Sequence, residues 1–271
     1  MDNPENRLLE SMTKHPIKRL GIISALHEEQ QGLVQAMDGV ATVIHGMRDY
    51  AVGRLWGVDA VCVLSRIGKV AASMTATMLV EKFGVTHILF TGVAGSGDVG
   101  VRVGDIVIAE ALVQHDMDAS PLFPRYEVPL TGLSRFHSDA ALSHRLAWAA
   151  NSFVDLDFMR AIGLDDRRDF RLGQIKVHRG LIASGDQFVS SRDHIESLSS
   201  SHPGLLAVEM EGAAVAQVCF ELGIPFAVIR TISDNANEEA AIDFLRFVKS
   251  VAACYAFHIV RRFCQDAGGR S

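Results

Sequence analysis

The chain has 271 residues, of which 48% are hydrophobic, and carries a formal net charge of −6. A chain of this length and composition can bury a sizeable core as one α/β domain. The acidic balance argues against nucleic acid or an anionic membrane surface as the main partner, which leaves a small polar molecule as the simplest expectation.

The N-terminal residues 1–18 are polar and contain no apolar stretch of the kind found in a secretory signal. No segment of the chain reaches the length of an apolar membrane span. The cysteines form no CxxC pair and lie in apolar runs, which is typical of small core residues in a reducing compartment. The sequence therefore predicts a polar N-terminal extension over 1–18 and a cytoplasmic location.

Short apolar runs alternate with segments of helical period along the chain. Strands are predicted over 20–25, 58–65, 85–95, 105–116, 176–188 and 224–234. Helices are predicted over 68–84, 138–153 (with Ser138 as N-cap) and 238–265, and a strand that leads into a helix over 207–223. The charge-dense segment 155–175 is predicted to be a surface insertion. This alternation predicts a single α/β domain over 19–267, a three-layer sandwich with a central twisted mixed β-sheet flanked by helices.

Polar residues at the carboxyl ends of strands are candidate site residues, because ligands of α/β sheets bind there. The first strand leads into Glu28 and Glu29, which position alone predicts to be a solvated helix start, where acids suit the positive end of the helix dipole. Glu209 and Glu211 follow an apolar strand start, and alternation of side chains would place both on one face. Asp234 ends the strongest apolar strand, and its position makes it the best single catalytic candidate.

Arg230 lies inside that same apolar strand, and a buried arginine needs a carboxylate partner. The acids near 29 or at 209–211 can supply it. The turn TGVAGSG (91–97) permits close approach of a ligand but lacks the Walker and dinucleotide patterns. No metal-ligand spacing or nucleophile elbow is present. Carboxylates, one arginine and a glycine turn predict acid–base chemistry on a neutral hydroxylated substrate, without metal or cofactor.

Eight segments, in order, resemble the 5′-methylthioadenosine/S-adenosylhomocysteine nucleosidases of the nucleoside phosphorylase superfamily. They are GIISALHEE, SRIGKVAAS, TGVAGS, VGDIVIAE, QHDMDAS, GLIASGDQF, AVEMEGAA and RTISDNA, and they extend from residue 20 to roughly 237. VEMEGAA is shared with the phosphorylases, whereas the HEE acid combined with SGDQF and ISDNA is more specific to the nucleosidases. The resemblance implies hydrolysis of the N-glycosidic bond of both nucleosides, with release of adenine and a 5-thio-substituted ribose, in methionine salvage.

The resemblance also implies residue roles. Glu29 is expected to activate the attacking water, with Arg230 orienting both. Asp234 is expected to protonate adenine N7, held by Ser233, and burial should raise its pKa as this role requires. Substrate contacts are implied for Glu211 (ribose hydroxyls), Met210 (under the sugar), Glu209 (support), Phe188 (stacking on adenine), Val189 (base edge), Ile67 and Leu26 (near the sugar and its 5′ substituent), and the turn residues Val93, Ala94 and Gly95.

Members of this family are homodimers, and the partner chain closes the 5′ end of the site. Here the corresponding segment is DASPLF, with Ala119 and Leu122 as the expected contacts. Two positions depart from the common pattern, because Val93 replaces a serine and Arg66 a glycine. A lid residue is implied near the end of the domain, and the sequence leaves it open between Ile242 and Phe244.

Three alternatives stay open at this stage. The same chemistry could act on aminodeoxyfutalosine or 5′-deoxyadenosine. A phosphate-dependent purine nucleoside phosphorylase is a second possibility, although a carboxylate at Glu29 would repel phosphate. The third is a catalytically silent nucleoside-binding module, against which the intact set Glu29, Glu211 and Asp234 argues.

Overall fold

A computed structural model describes residues 16–236 and 240–268 of the chain. Its strands form one mixed sheet, in the order β10-β6-β8-β9-β5-β1-β4-β3-β2, with β7 paired to β6. They are β1 (Leu20–Ser24), β2 (Asp38–His45), β3 (Arg48–Leu55), β4 (Val58–Leu64), β5 (His87–Ser96), β6 (Ile106–Gln114), β7 (Phe136–His137), β8 (Val177–Ser184), β9 (Leu205–Glu209) and β10 (Phe226–Asp234).

The sheet closes on itself at one end, because β10 pairs with β5 as well as with β6. The β5–β10, β6–β8 and β8–β9 pairs are parallel, whereas β10–β6 and β5–β9 are antiparallel. Strands β1 to β4 extend this closed part as an open sheet with both parallel and antiparallel pairs. The closure gathers the carboxyl ends of several strands around one opening.

Helices cover both faces of the sheet. They are α1 (His27–Gln35), α2 (Lys69–Glu81), α3 (Ala140–Leu156), α4 (Phe158–Ala161), α5 (Leu164–Asp169), α6 (Arg192–Ser201), α7 (Gly212–Leu222), α8 (Ala240–Phe247) and α9 (Ala253–Gly268). Adjacent strand residues face opposite cores, since Ile22 packs with α1, α3 and α9 while Ile23 packs with α2 and α7. The predicted α/β fold with a central mixed sheet between helical layers is therefore confirmed.

Some local expectations needed correction. Helix α3 is capped by Asp139, whose side chain accepts the Leu142 N–H at 2.8 Å, and not by Ser138. The long terminal helix is interrupted by a π-helical turn at Val248–Ala252. The β2–β3 hairpin and α6 were absent from the sequence prediction. Strand β2 is exposed along nearly its whole length. Because neither of its faces is buried, its sequence lacks the alternation of apolar and polar residues from which a strand is predicted.

Segment 155–175 contains the two short helices α4 and α5. Its charged side chains are mostly exposed, whereas Phe158, Ile162 and Leu172 are buried in the core. These three side chains join the cluster formed with α3 and α9, and so they hold the segment against the domain.

Three of the four cysteines, Cys62, Cys219 and Cys264, are buried, and Cys254 is half-buried; all four are free thiols. In the described ranges, no helix is both long and apolar enough to cross a membrane. Within the same residues, no group of three or more His, Cys, Asp or Glu side chains is placed to hold a metal ion.

Candidate active site

A pocket lies beyond the carboxyl ends of β1, β5, β8, β9 and β10. Thirteen of the predicted site residues line it: Leu26, Glu29, Ile67, Val93, Ala94, Gly95, Phe188, Val189, Glu209, Met210, Glu211, Arg230 and Asp234. Ser233, which precedes Asp234 in the chain, does not line the pocket, and neither do Ala119 and Leu122. Five further residues complete the wall: Ala25, Gly92, Gln187, Val208 and Phe244. The structure thus gathers strand ends that are far apart in the sequence.

Glu29 is held at the first turn of α1 by three backbone N–H groups. Its Oε2 accepts from Ala25 and Leu26, both at 2.9 Å, and its Oε1 accepts from Val93 at 3.1 Å. The bond to Leu26 is one half of a capping box, in which a third-position glutamate reaches back to the N-cap. Glu29 therefore caps the helix and lines the pocket as well, whereas the neighbouring Glu28 does not line it.

Burial raises the pKa of the Glu29 carboxyl, although the three backbone donors and the charge of Arg230 act in the opposite direction. Gly92 lies between the two side chains. A Cβ at this position would lie 3.3 Å from Glu29 Oε1 and 3.4 Å from Arg230 Nη1. Glycine at this point of β5 therefore lets the carboxylate and the guanidinium approach each other.

Among the acids that the sequence offered as partners, Arg230 forms its ion pair with Glu209 and not with Glu29 or Glu211. Its Nη2 and Nε donate to Glu209 Oε2 at 2.7 and 3.2 Å. Its Nη1 donates to the carbonyls of Ile229 and Phe90, and the guanidinium lies 4.1 Å from the centre of the Phe90 ring. Arg230 can thus act on Glu29 through charge, while its own hydrogen bonds fix it to β5, β9 and β10.

Glu209 is surrounded by hydrogen-bond donors. Its oxygens accept from the Ser184 hydroxyl and from the backbone N–H groups of Glu211 and Gly212, in addition to Arg230. Strand β9 ends at Glu209, and Glu211 is the N-cap of α7. The sequence predicted that Glu209 and Glu211 face the same side because side chains alternate along a strand, but Glu211 lies beyond the end of β9. Both acids face the pocket because the chain turns sharply from β9 into α7 between them.

Glu211 is buried, and its Oε1 accepts the backbone N–H of Gly68 at 2.8 Å. Burial and the nearby Glu209 raise its pKa to about 8, against the opposing effects of the Gly68 N–H and Arg230. Hydroxyl donors in the pocket would hydrogen-bond the ionised form and so favour it. The carboxylate is suited to holding a diol such as that of ribose.

We expect Glu211 to make the stability of the protein depend on pH. Because the folded-state pKa of about 8 exceeds the ordinary 4.5, its stabilising contribution is present below about pH 4.5 and is lost as the pH rises through about 8. Glu211→Gln should remove this loss. Between about pH 5 and 8, the unfolding free energy of the variant should fall less than that of the wild type, by a few kcal/mol in order of magnitude.

Urea denaturation at several pH values measures this difference. Glu110→Gln, at an exposed position on β6, is the control and should follow the wild type. If Glu211→Gln and the wild type lose stability in parallel, the raised pKa of Glu211 is wrong.

Asp234 is buried at the end of β10, where its Oδ2 accepts from Ser233 Oγ at 2.8 Å and its Oδ1 accepts from the Ala236 N–H at 2.9 Å. The expected link between Ser233 and Asp234 is therefore present. A Cβ on Gly95 would lie only 2.9 Å from Asp234 Oδ1. The small residues of the β5 turn thus leave room for this carboxyl beside the pocket.

Aromatic side chains form the outer wall. The Phe188 ring is half-exposed and meets Phe244 edge to face, with 5.8 Å between ring centres, while Val189 is buried. Phe244 lines the pocket, which favours it as the lid residue. The side chain of Ile242 lies outside the described residues. Gln187 was missed because a polar residue next to a glycine loop carries no distinguishing pattern.

Ala119 and Leu122 lie on an exposed turn after β6, and Leu122 is 84% exposed. Large apolar side chains are exposed elsewhere on this molecule, among them Met47, Ile67 and Val70. Ile67 also lines the pocket. Ile67 is therefore an exposed apolar side chain and part of the pocket wall at once.

Sequence comparisons agree with this geometry. Residues 19–265 match the family model described as the phosphorylase superfamily. The 5′-methylthioadenosine/S-adenosylhomocysteine nucleosidase of Shewanella frigidimarina is 37% identical over 233 residues, which cover 85% of this chain and 92% of that protein. The enzyme of the same name from Geobacillus kaustophilus is 37% identical over 236 residues, which cover 86% of this chain and 92% of that protein.

Solved structures with the same fold include two kinds of nucleoside hydrolase. The 5′-methylthioadenosine/S-adenosylhomocysteine nucleosidase of Neisseria meningitidis, in complex with methylthio-immucillin-A, has a TM-score of 0.81 at 33% identity and covers 92% of this chain and 100% of its own. The futalosine hydrolase of Helicobacter pylori has a TM-score of 0.78 at 32% identity and covers 92% and 98%, respectively.

Proposed function

The chain belongs to the phosphorylase superfamily, and we propose that it hydrolyses the N-glycosidic bond of 5′-methylthioadenosine and S-adenosylhomocysteine. The products are adenine and the 5-thio-substituted ribose. The observation that carries this proposal is the convergence of Glu29, Glu211 and Asp234 on one pocket. Relatives that are 37% identical over most of the chain bear this activity in their names.

Departure of adenine is assisted by Asp234. Adenine leaves poorly as an anion, and a proton delivered to N7 converts it into a neutral leaving group as the C1′–N9 bond breaks. Ser233 holds the Asp234 carboxyl through the 2.8 Å hydrogen bond. The Phe188 ring offers an apolar face on which the base can stack, Phe244 adds an apolar wall nearly perpendicular to it, and Val189 supports the edge of the base.

Attack by water is assisted by Glu29. Its raised pKa makes the carboxylate a stronger base, and it accepts the proton of the water that forms the new bond to C1′. As the ribose gains oxocarbenium character, the ionised Glu211 stabilises the positive charge while it holds the ribose hydroxyls. Acid and base act on the leaving group and the water, respectively, as in inverting glycoside hydrolysis. Water is the only co-reactant, and no cofactor or metal takes part.

The assembly is a homodimer in which the partner chain covers the 5′ end of the pocket. The exposed Leu122 and the exposed apolar side chains Met47, Ile67 and Val70 support this proposal. Leu26 and Ile67 then form the near wall for the 5′-thioether. Residues 19–267 form one nucleosidase domain, with 155–175 as an insertion. Of the predicted extension 1–18, residues 1–15 lie outside the described residues, whereas Ile17 packs against the core and Lys18 donates its N–H to Thr86 Oγ1. We place the enzyme in the cytoplasm, in methionine salvage.

Adenine release in phosphate-free buffer tests the hydrolytic reaction. The purified protein should release adenine from 5′-methylthioadenosine and S-adenosylhomocysteine at the same rate with and without added phosphate. The Glu29 carboxylate would repel phosphate at the position of the nucleophile, and this repulsion argues against a phosphorylase. Strict dependence on phosphate, with formation of a ribose 1-phosphate, would establish the phosphorylase alternative.

A second candidate substrate class has support in the similarity to futalosine hydrolase. The chemistry of base, acid and ribose carboxylate would be the same, and only the 5′ substituent would differ. Values of kcat/KM for 5′-methylthioadenosine, S-adenosylhomocysteine, 5′-deoxyadenosine and aminodeoxyfutalosine decide between them. We expect the two thio-substituted nucleosides to have the highest values.

A further inference from the structure

The turn that precedes α2 provides the hydrogen-bond donor for Glu211. Gly68 donates its backbone N–H to Glu211 Oε1 at 2.8 Å, and the two residues are 143 positions apart in the sequence. Gly68 is also the N-cap of α2 and has a φ of +97°, a conformation that side-chain-bearing residues rarely adopt. As a glycine it has no side chain with which to cap the helix. The position of this N–H therefore depends on other groups that hold the turn.

Asp186, from the loop after β8, takes over the capping role. Its Oδ1 accepts the backbone N–H of Lys69, the first residue of α2, at 2.8 Å. The same oxygen lies 3.1 Å from the position that a Cβ of Gly68 would occupy. A carboxylate at a helix N-terminus satisfies an otherwise unpaired donor and interacts favourably with the helix dipole. Here the carboxylate comes from a segment 117 residues away.

Asp186 is itself fixed by its neighbours. Its backbone N–H donates to Asp116 Oδ2 at 2.9 Å, and the Lys69 ammonium donates to Asp116 Oδ1 at 2.6 Å and to Gln114 Oε1 at 3.1 Å. The contacts form a closed ring that joins the ends of β6 and β8 to the start of α2. Asp186 also directly precedes the pocket residues Gln187, Phe188 and Val189.

We propose that Asp186 is a positioning residue that holds the Gly68–Lys69 turn so that the Gly68 N–H points at Glu211. This inference rests on the proposed function, in which Glu211 holds the ribose hydroxyls. Asp186 does not line the pocket, and it acts on the reaction only through Gly68 and Glu211. Without its carboxylate, the turn relaxes and Glu211 loses the donor that orients it and favours its ionised form.

A double-mutant cycle tests this link. We expect Asp186→Ala to lower kcat/KM for 5′-methylthioadenosine by about 10- to 100-fold, the effect of losing one hydrogen bond to a charged group. Asp186→Asn keeps an oxygen that accepts the Lys69 N–H and should retain most of the activity. In the Glu211→Ala background, which has no side-chain oxygen to accept the Gly68 N–H, Asp186→Ala should lower kcat/KM by less than about threefold, because the two changes act on one interaction.

The outcomes separate the inference from the function on which it rests. If the effects of Asp186→Ala and Glu211→Ala multiply in the double variant, the positioning role is wrong while the proposed function stands. If Glu211→Ala alone has wild-type kcat/KM, the role of Glu211 in the proposed function is wrong, and the inference is wrong with it. Equal losses for Asp186→Asn and Asp186→Ala would also overturn the inference, since the acceptor geometry would then not matter.

A second cycle covers the case in which Asp186→Ala fails to fold, as judged by thermal unfolding. Asp116→Ala removes the acceptor for the Asp186 N–H and the Lys69 ammonium, and it should lower kcat/KM by about three- to tenfold. In the Glu211→Ala background, Asp116→Ala should lower kcat/KM by less than about twofold. Multiplicative losses in this cycle would overturn the inference independently of the first.

Discussion

Asp234→Asn is expected to lower kcat for adenine release by about 10²- to 10⁴-fold, the usual contribution of a general acid. The asparagine side chain has nearly the same shape and can still donate a hydrogen bond to N7, but it cannot transfer a proton. Substrate binding should therefore change little. Single-turnover measurements of adenine formation, together with titration of a non-hydrolysable adenine nucleoside analogue, separate the two effects.

Ser233→Ala is expected to lower kcat less than Asp234→Asn does. It removes the hydroxyl that donates to Asp234 Oδ2 at 2.8 Å but leaves the acid itself in place. We expect a loss in kcat of about tenfold, which lies at the upper end of the range for one hydrogen bond to a neutral group such as the protonated acid. If Asp234→Asn retains kcat within about threefold of the wild type, the general-acid assignment is wrong and the silent binding module becomes the better interpretation.

Much of the site could be predicted because strand ends are readable in the sequence. Asp234 ends the fully buried strand β10, and its position alone made it a candidate. Glu29 comes shortly after the buried strand β1, but only the family resemblance distinguished it from an ordinary helix start. Side chains at the carboxyl ends of such strands meet at one edge of a sheet. This geometric rule needs only the positions of the strands, and long apolar β-rich runs reveal those positions well.

The identity of the ion-pair partner of Arg230 could not be predicted. Glu29, Glu209 and Glu211 are equivalent candidates in the sequence, because each follows an apolar strand. The choice depends on the closure of the sheet between β5 and β10 and on the turn after β9, which together place Glu209 within 2.7 Å of the guanidinium. Closure joins strands that are far apart along the chain, and local periodicity contains no information about it.

The role of Asp186 was hidden for a similar reason. The carboxylate caps a helix that begins 117 residues earlier, whereas sequence signatures of capping involve residues within a few positions of the helix start. The N-cap position itself holds Gly68, which has no side chain to indicate that a cap is needed. Long-range capping of this kind becomes visible only when the loops have been placed in space.

Glu29→Gln is expected to lower kcat for hydrolysis by about 10²- to 10⁴-fold, because water loses its general base. The effect also has a structural source. Glu29 accepts three backbone N–H groups, from Ala25, Leu26 and Val93, and the amide of glutamine would place an N–H donor against one of these donors. The variant should therefore lose activity and also some stability at the start of α1, which thermal unfolding measures.

Glu28→Gln is the matched control, since the same change is made one residue away on a side chain that does not line the pocket. We expect wild-type kcat from Glu28→Gln.

The Glu29→Gln variant also tests whether water or phosphate is the nucleophile. Removal of the negative charge lowers the repulsion of phosphate, but the Arg230 guanidinium in the pocket lining is already paired with Glu209, so added phosphate should not restore adenine release. Restoration of activity by phosphate would show that the pocket binds the anion, and Glu29 would then select water over phosphate by charge alone.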